Sequence, residues 1–420
     1  MLTKLRNKVA DNKILKNILY WANCVLLFAY TFSILVFSLI MPAICYVSMA
    51  LLIGFAFLYL LLYPSDLFLK KRNFIILFFL VSAFISTALY SRRWREYLTI
   101  FLMVATFFSL LASLLVIEKR NLIFLILVTA FFIFSIIFII YFRYEITHYR
   151  QYTHDQFRLG PPFENQNAVG NYMAIAITIS VYLILFNKKK IYWLLLIPLI
   201  VFFFIGFTTG SRTFLVLSVL SVAALIFFRF RKKWWVVLIA LTGSAAVLIL
   251  LINFVPIFSS IKYRIEDTLS MFTNGLSAGS TLERIVWQQY GVYLASRRIL
   301  FGYGDSGFAA ASGVNTYTHG NFSEVLCDFG IVGFIGFYML LIIPFLYAIK
   351  MKREEKYFVL TMIIIMMVNG FMTVFYYDKS TYIIFALIYF AVSKEKLEFD
   401  LGKKEVIKNE ANAENISIIH

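Results

Sequence analysis

The chain has 420 residues and a formal charge of +17; 61% of it is apolar, 19% aromatic and only 15% charged. Soluble domains run at roughly 45–50% apolar, which excludes a soluble enzyme, a disordered chain and a fibre. What is left is a membrane protein, so the basic excess calls for a topological explanation before a nucleic-acid partner.

A transmembrane helix takes about 20 mostly apolar residues. Apolar runs between charge clusters and turn residues predict twelve spans, at 18–40, 43–63, 74–90, 97–117, 122–142, 167–187, 191–208, 213–229, 235–256, 329–349, 357–376 and 380–393. The last run has 14 residues, so eleven crossings are the alternative. The first run follows a basic N-terminus but is long and lacks a small-residue cleavage signal; it reads as a retained span. With the N-terminus inside, 26 of the 39 basic residues face the cytoplasm, against 11 of the 22 acidic ones. The positive-inside rule is met. One outer cluster, Arg92, Arg93 and Arg95, runs against it and reads either as an interface anchor or as a landing site for an anionic lipid-linked substrate.

The expected organisation is nine spans over 1–256, an extracytoplasmic loop domain over 257–328, three spans over 329–393 and a cytoplasmic tail over 394–420. Span interiors are nearly free of ionisable groups, which argues against ion-driven transport. Cys24, Cys45 and Cys327 sit in apolar runs at spacings that fit neither a metal site nor a disulfide framework, and read as packing residues.

Polar residues gather in four outer stretches. The first runs from Arg158 through Gly160, Pro161 and Pro162 to Asn165 and Asn167 at the head of the sixth span. It can be a bare turn and helix cap, or an anion site at a helix N-terminus. The second is the turn from Thr208 to Thr213, where Arg212 either snorkels to the interface or meets an anion that relieves its clash with the helix dipole. The third is an amphipathic helix at about 281–298, opened by a capping box of Ser280 and Glu283. Leu282, Ile285, Val286, Tyr290, Tyr293 and Leu294 make its apolar side, and Arg284 and Gln288 share another stripe. A shorter helix upstream carries Lys262, Arg264, Glu266 and Asp267; either helix can equally be a lid with solvated charges. Next, Gly302 to Gly307 matches G-x-G-x-x-G, but no βαβ unit surrounds it, so tight turns are its use. The fourth stretch runs from Tyr317 to Gly333. His319 lies at a loop-to-helix junction, either structural or catalytic, with Glu324 near enough in sequence to orient its imidazole. No histidine set forms a metal cluster.

In this order, over roughly residues 150–340, the stretches resemble the O-antigen polymerase and ligase family of bacterial membrane glycosyltransferases. The resemblance rests on Arg158 to Asn167, Ser211 with Arg212, Glu283-Arg284 with Trp287, and Thr318, His319, Asn321, Glu324, Gly330 and Gly333. Gly320 separates His319 from Asn321, a departure from the family's pattern that bears on Asn321 more than on His319.

The resemblance implies an all-α, polytopic helical bundle of the GT-C type, in the bacterial cytoplasmic (inner) membrane, with both termini cytoplasmic and its active site outside. It implies a polyprenyl-pyrophosphate-linked glycan donor, a glycan or lipid A core acceptor, membrane lipid around the site, and a chain-length regulator and a flippase as candidate partners. No cofactor, nucleotide sugar, metal or nucleic acid is implied. His319 then takes the role of general base, Arg212 and Arg284 stabilise the leaving pyrophosphate, and Arg158, Arg264, Asn167, Asn321 and Glu324 bind substrate. Polymerisation of surface-polysaccharide repeat units is the favoured activity. Ligation to lipid A core is the alternative, and a lipid-linked glycan flippase the rival from a different class. A flippase should carry cations deep in a two-sided cavity, whereas the candidates here gather on one face.

Overall fold

The structure, a computed structural model, describes residues 13–62, 71–90, 94–153, 157–274, 279–314 and 316–393. Sixteen helices and no strand occur among them: α1 (Lys13–Phe37), α2 (Pro42–Leu62), α3 (Ile75–Tyr90), α4 (Trp94–Ile117), α5 (Arg120–Tyr141), α6 (Arg143–Thr147), α7 (Gln166–Phe186) and α8 (Leu196–Thr208) form the first half. The second half comprises α9 (Arg212–Phe230), α10 (Trp234–Phe254), α11 (Ser259–Asn274), α12 (Gly279–Arg297), α13 (Gly307–Ser312), α14 (Asn321–Lys350), α15 (Glu355–Asn369) and α16 (Lys379–Ser393). Arg92, Arg93 and the cytoplasmic-tail assignment lie outside the described residues, as do the side chains of Arg95 and Ser280.

Helix is what these sequences must form in lipid, because it satisfies every backbone polar group within the segment. Nine helices among the described residues are long and apolar enough to cross a membrane. Each of the twelve predicted runs overlaps a helix, but the count of twelve is not established. The helices α3, α15 and α16 have 16, 15 and 15 residues, roughly 22–24 Å of rise against a hydrocarbon core of about 30 Å.

Two predicted boundaries need correction, and both bear on the site. The run at 357–376 is not one span: α15 ends at Asn369, whose carbonyl accepts the Met372 and Thr373 amides at 2.9 and 3.0 Å, and residues 370–378 continue without helix. The span predicted from 329 begins earlier, at Asn321, and is broken at Gly330 (φ 63°, ψ −169°).

Small residues set how closely the central helices approach. A Cβ on Gly170 of α7 would lie 2.9 Å from the Ser211 Cβ at the head of α9, and one on Gly336 of α14 would lie 3.1 Å from the Phe79 Cα of α3. Around these contacts a large aromatic core includes Tyr30, Phe107, Phe124, Phe134, Tyr172 and Tyr182. The flank of α10 stays bare, with Leu238, Ile239, Val247, Leu250 and Phe254 exposed, as expected of a lipid-facing surface. At the end away from the site, Arg120 pairs with Glu355, and Arg229 reaches Glu354 at 3.5 Å.

Candidate active site

Three separate stretches meet over one end of the bundle. The Leu159 amide donates to the Thr208 carbonyl at 3.1 Å, laying the Arg158 loop along the end of α8. Asn165 caps α7 by accepting the Asn167 amide at 2.9 Å, and Ser211 caps α9 by accepting the Phe214 amide at 3.2 Å. Two helix N-termini, each with positive dipole ends, therefore open on the same side. Arg158 crosses between them: its Nη2 donates to Asn167 Oδ1 at 3.4 Å, and its Cγ lies 3.3 Å from where a Gly210 Cβ would stand. Ser260 of α11 touches the same point, at 2.7 Å.

One turn further along α11 is Arg264, followed by Asp267 and Thr268. Arg212 donates to the Thr268 hydroxyl at 2.5 Å and lies 3.9 Å from the Asp267 carboxylate. The positive charges of Arg264 and Arg284 also act on Arg212, so the four predicted arginines form one arc. Like charges held together repel one another, and an anion placed in the arc would relieve that repulsion.

Arg284 lies on α12, whose Arg284 and Gln288 stripe faces the non-helical segment after α15. Arg284 Nη1 reaches the Met372 carbonyl at 3.5 Å, and Gln288 Nε2 donates to that of Phe371 at 3.1 Å. The predicted helix is present, and its apolar side divides into a packed part and an exposed part. Leu294, Trp287 and Tyr290 pack in a small core with Phe308 and Cys327, whereas Leu282, Ile285, Val286 and Tyr293 are exposed. The helix is anchored through only part of its apolar surface.

His319 sits beside Arg284 with a left-handed backbone (φ 63°), which an L-residue holds only where neighbours fix it. They do. The Thr318 hydroxyl donates to the Gly320 carbonyl at 2.9 Å, the Ser323 hydroxyl donates to Thr318 Oγ1 at 2.8 Å, and the Thr318 amide donates to Glu324 Oε2 at 2.6 Å. Glu324 therefore fixes the loop, not the imidazole, correcting the orienting role read from the sequence. Gly320, the departure from the family pattern, has a packing reason: a Cβ there would fall 2.8 Å from the Gln288 side chain. The ring of Tyr317 lies 4.4 Å from that of His319. Burial lowers the His319 pKa from its ordinary value, and the Arg284 charge lowers it further. The imidazole is thus neutral at neutral pH and able to accept a proton. Burial also pulls Arg284 below its usual range, opposed by Tyr317 and Glu283.

Asn321 also needs correction as a substrate ligand. It is fully buried, and its amide is used internally: Nδ2 donates to the Tyr338 hydroxyl at 2.9 Å, and Oδ1 accepts the Phe375 and Tyr376 amides at 3.0 and 2.9 Å. Its role is to pin the 370–378 segment against the histidine loop. Asn167, in contrast, lines a cavity of about 320 Å³ together with Glu164, Asn171, Tyr317, Tyr377 and Asp378.

The G-x-G run is explained by the break in α14. At Gly330 the helical ladder stops, and residues 299–304 take over its loose ends. Tyr303 and Gly304 amides donate to the Cys327 and Asp328 carbonyls at 3.0 and 2.7 Å, while Ile331 and Val332 amides donate to Ile299 and Leu300 at 2.7 and 3.3 Å. Arg298 lies over the Tyr90 and Tyr303 rings, 3.8 and 4.4 Å from their centroids, tying the loop to α3.

Sequence reasoning missed the acidic side of the site. The Tyr376 hydroxyl lies 2.8 Å from Asp305 Oδ1 and 2.7 Å from Asp328 Oδ2. One hydroxyl proton cannot serve two carboxylates, so one of the acids holds a proton of its own. Burial pushes Asp305 up to about 6. The usable signal was the Gly370 to Asp378 stretch, polar and aromatic beyond a helix stop, which hydropathy alone absorbed into a span.

Residues 197–338 match a family model described as O-antigen ligase. That stretch, less than half of the chain, is similar to the O-antigen ligase family. The matched region holds Arg212, Arg264, Arg284, His319, Asn321 and Glu324; Arg158, Asn167 and the 370–378 segment lie outside it. No curated protein matches the chain. The similarity and the apolar helices together fit an integral membrane protein with an O-antigen ligase-like or polymerase-like function.

Proposed function

We propose that this membrane protein is a glycosyltransferase that polymerises polyprenyl-pyrophosphate-linked repeat units of a surface polysaccharide on the outer side of the cytoplasmic membrane. The observation carrying this reading is the arc of Arg158, Arg212, Arg264 and Arg284, drawn from separate elements and ending beside a neutral His319.

An acceptor hydroxyl attacks the anomeric carbon of the donor, and its proton passes to His319. The bond from that carbon to the pyrophosphate oxygen breaks with its electron pair leaving on oxygen, and in-line attack inverts the anomeric centre. The products are the lengthened glycan and polyprenyl pyrophosphate. Planar guanidinium groups pair with phosphate oxygens bidentately and stabilise charge where it develops. The Arg284 charge acts on both Arg212 and His319, linking the arc to the base. Asn167 positions Arg158, and Asn321 supports the base loop from beneath.

Ligation to lipid A core is the second reading, favoured by the description of the matching family model. The deciding experiment is incubation of purified protein with a defined lipid-linked repeat unit, with and without a chelator. A ladder of lengthened glycans, unaffected by chelation, supports polymerisation. Transfer only to added lipid A core supports ligation, and no transfer to either acceptor overturns the glycosyltransferase reading.

A further inference from the structure

A second cavity, of about 460 Å³, lies across Tyr317 and Tyr377 from the first; its walls include Asp305, Glu324, Thr99, Thr316 and Ala309. Both cavities share those two tyrosines, so the Tyr317 ring, tilted 54° against that of His319, stands at their boundary. The two sides differ in their cations. The first cavity carries Lys379 beside Glu164 and Asp378 and is flanked through Asn167 by Arg158, whereas among the described residues no lysine or arginine lines the second. Two carboxyl-bearing side chains face the second cavity, each held in place. Glu324 Oε2 is fixed by the Thr318 amide at 2.6 Å and Asp305 Oδ1 by the Tyr376 hydroxyl at 2.8 Å. A pyrophosphate is repelled there, while sugar hydroxyls find fixed acceptors, tyrosine and threonine hydroxyls, and aromatic faces. The volume lies within the range of small-molecule sites.

We propose that this cavity holds the uncharged, hydroxyl-bearing end of the acceptor glycan and delivers its nucleophilic hydroxyl to His319 past Tyr317. The assignment rests on the glycosyltransferase reading. It adds a specificity: the acceptor end is neutral or basic, and a uronic or otherwise anionic sugar is disfavoured.

The test uses full-length protein in lipid vesicles with its lipid-linked repeat unit as donor and acceptor, read as transfer rate and as retention of labelled donor. Ala309→Trp fills the cavity from a half-buried wall position, with Ala309→Ser as its size control. Ala309→Trp should raise the acceptor KM by about tenfold or more while donor retention stays within about twofold. Thr316→Val, which removes one hydroxyl, should raise the acceptor KM by about two- to fivefold and carries the test if the tryptophan variant does not fold. A third arm supplies the acceptor after oxidation of its terminal primary hydroxyl to a carboxylate. Wild type should use it about tenfold less well, and Asp305→Asn should narrow that difference. Unchanged acceptor KM in the variants, donor retention falling in parallel, or equal use of the oxidised acceptor would overturn the assignment. If wild type transfers nothing, the glycosyltransferase reading fails, and the acceptor cavity with it.

Discussion

The two sides of the site solve opposite electrostatic problems. On one, Arg212 is held by Thr268 and Asp267 yet faces two further guanidinium groups; on the other, Asp305, Tyr376 and Asp328 share protons inside a buried network. The acidic side is closed by its own hydrogen bonds, whereas the proposed function has the basic side receive an anion. The difference teaches which side waits for charge to arrive, and it sets the experiments.

The largest effect should come from the base between the two sides. His319→Ala should lower transfer by about 10²–10⁴ in a membrane assay, while insertion and donor retention persist; full activity would remove the general-base role. Arg284→Ala and Arg212→Ala should each cost about 10²–10³ in kcat, with lysine restoring only part because it lacks the bidentate fork. Gly330→Ala tests the scaffold beneath the acidic side. Its Cβ would meet the Leu300 carbonyl group at 2.4 Å with φ held positive, so thermal stability should fall by about 2–4 kcal/mol. If the basic side awaits an anion, inorganic pyrophosphate at about 100 times its Kd should stabilise the protein by ~2.7 kcal/mol, read as a rise in Tm that Arg284→Ala diminishes. An equal rise in that variant would erase the contrast between the sides. The smallest effect concerns pH. Because the His319 pKa is lowered, protonation disables the base only below its ordinary value of about 6.5, so activity should persist at pH 6.5 and fall at lower pH. Arg284→Gln removes one of the two causes, and its acid limb should move upward.

The apolar helices were legible because lipid leaves the backbone no alternative, and runs such as Arg120–Tyr141 carry that demand in every residue. The arginines were legible because charges beside apolar runs are rare and stand out. Asn321 was misread because an amide in a polar motif looks the same in sequence whether it meets substrate or two backbone amides 54 and 55 residues away. The acidic network was invisible for a related reason. Asp305, Asp328 and Tyr376 belong to three distant segments, and only the break at Gly330 and the end of α15 bring them together. For α12, periodicity reports that the helix has an apolar side, not which part of it packs against protein.

The break at Gly330 has a consequence for how the enzyme meets membranes of different thickness. One loop clamps both sides of the break: Tyr303 and Gly304 hold Cys327 and Asp328 before it, and Ile299 and Leu300 hold Ile331 and Val332 after it. A tilt of the lower rod of α14 toward a thinner or thicker bilayer is therefore passed through residues 299–304 to the histidine loop. Transfer rates in short- and long-chain phosphatidylcholine should differ, and equal rates would show that the break absorbs the tilt.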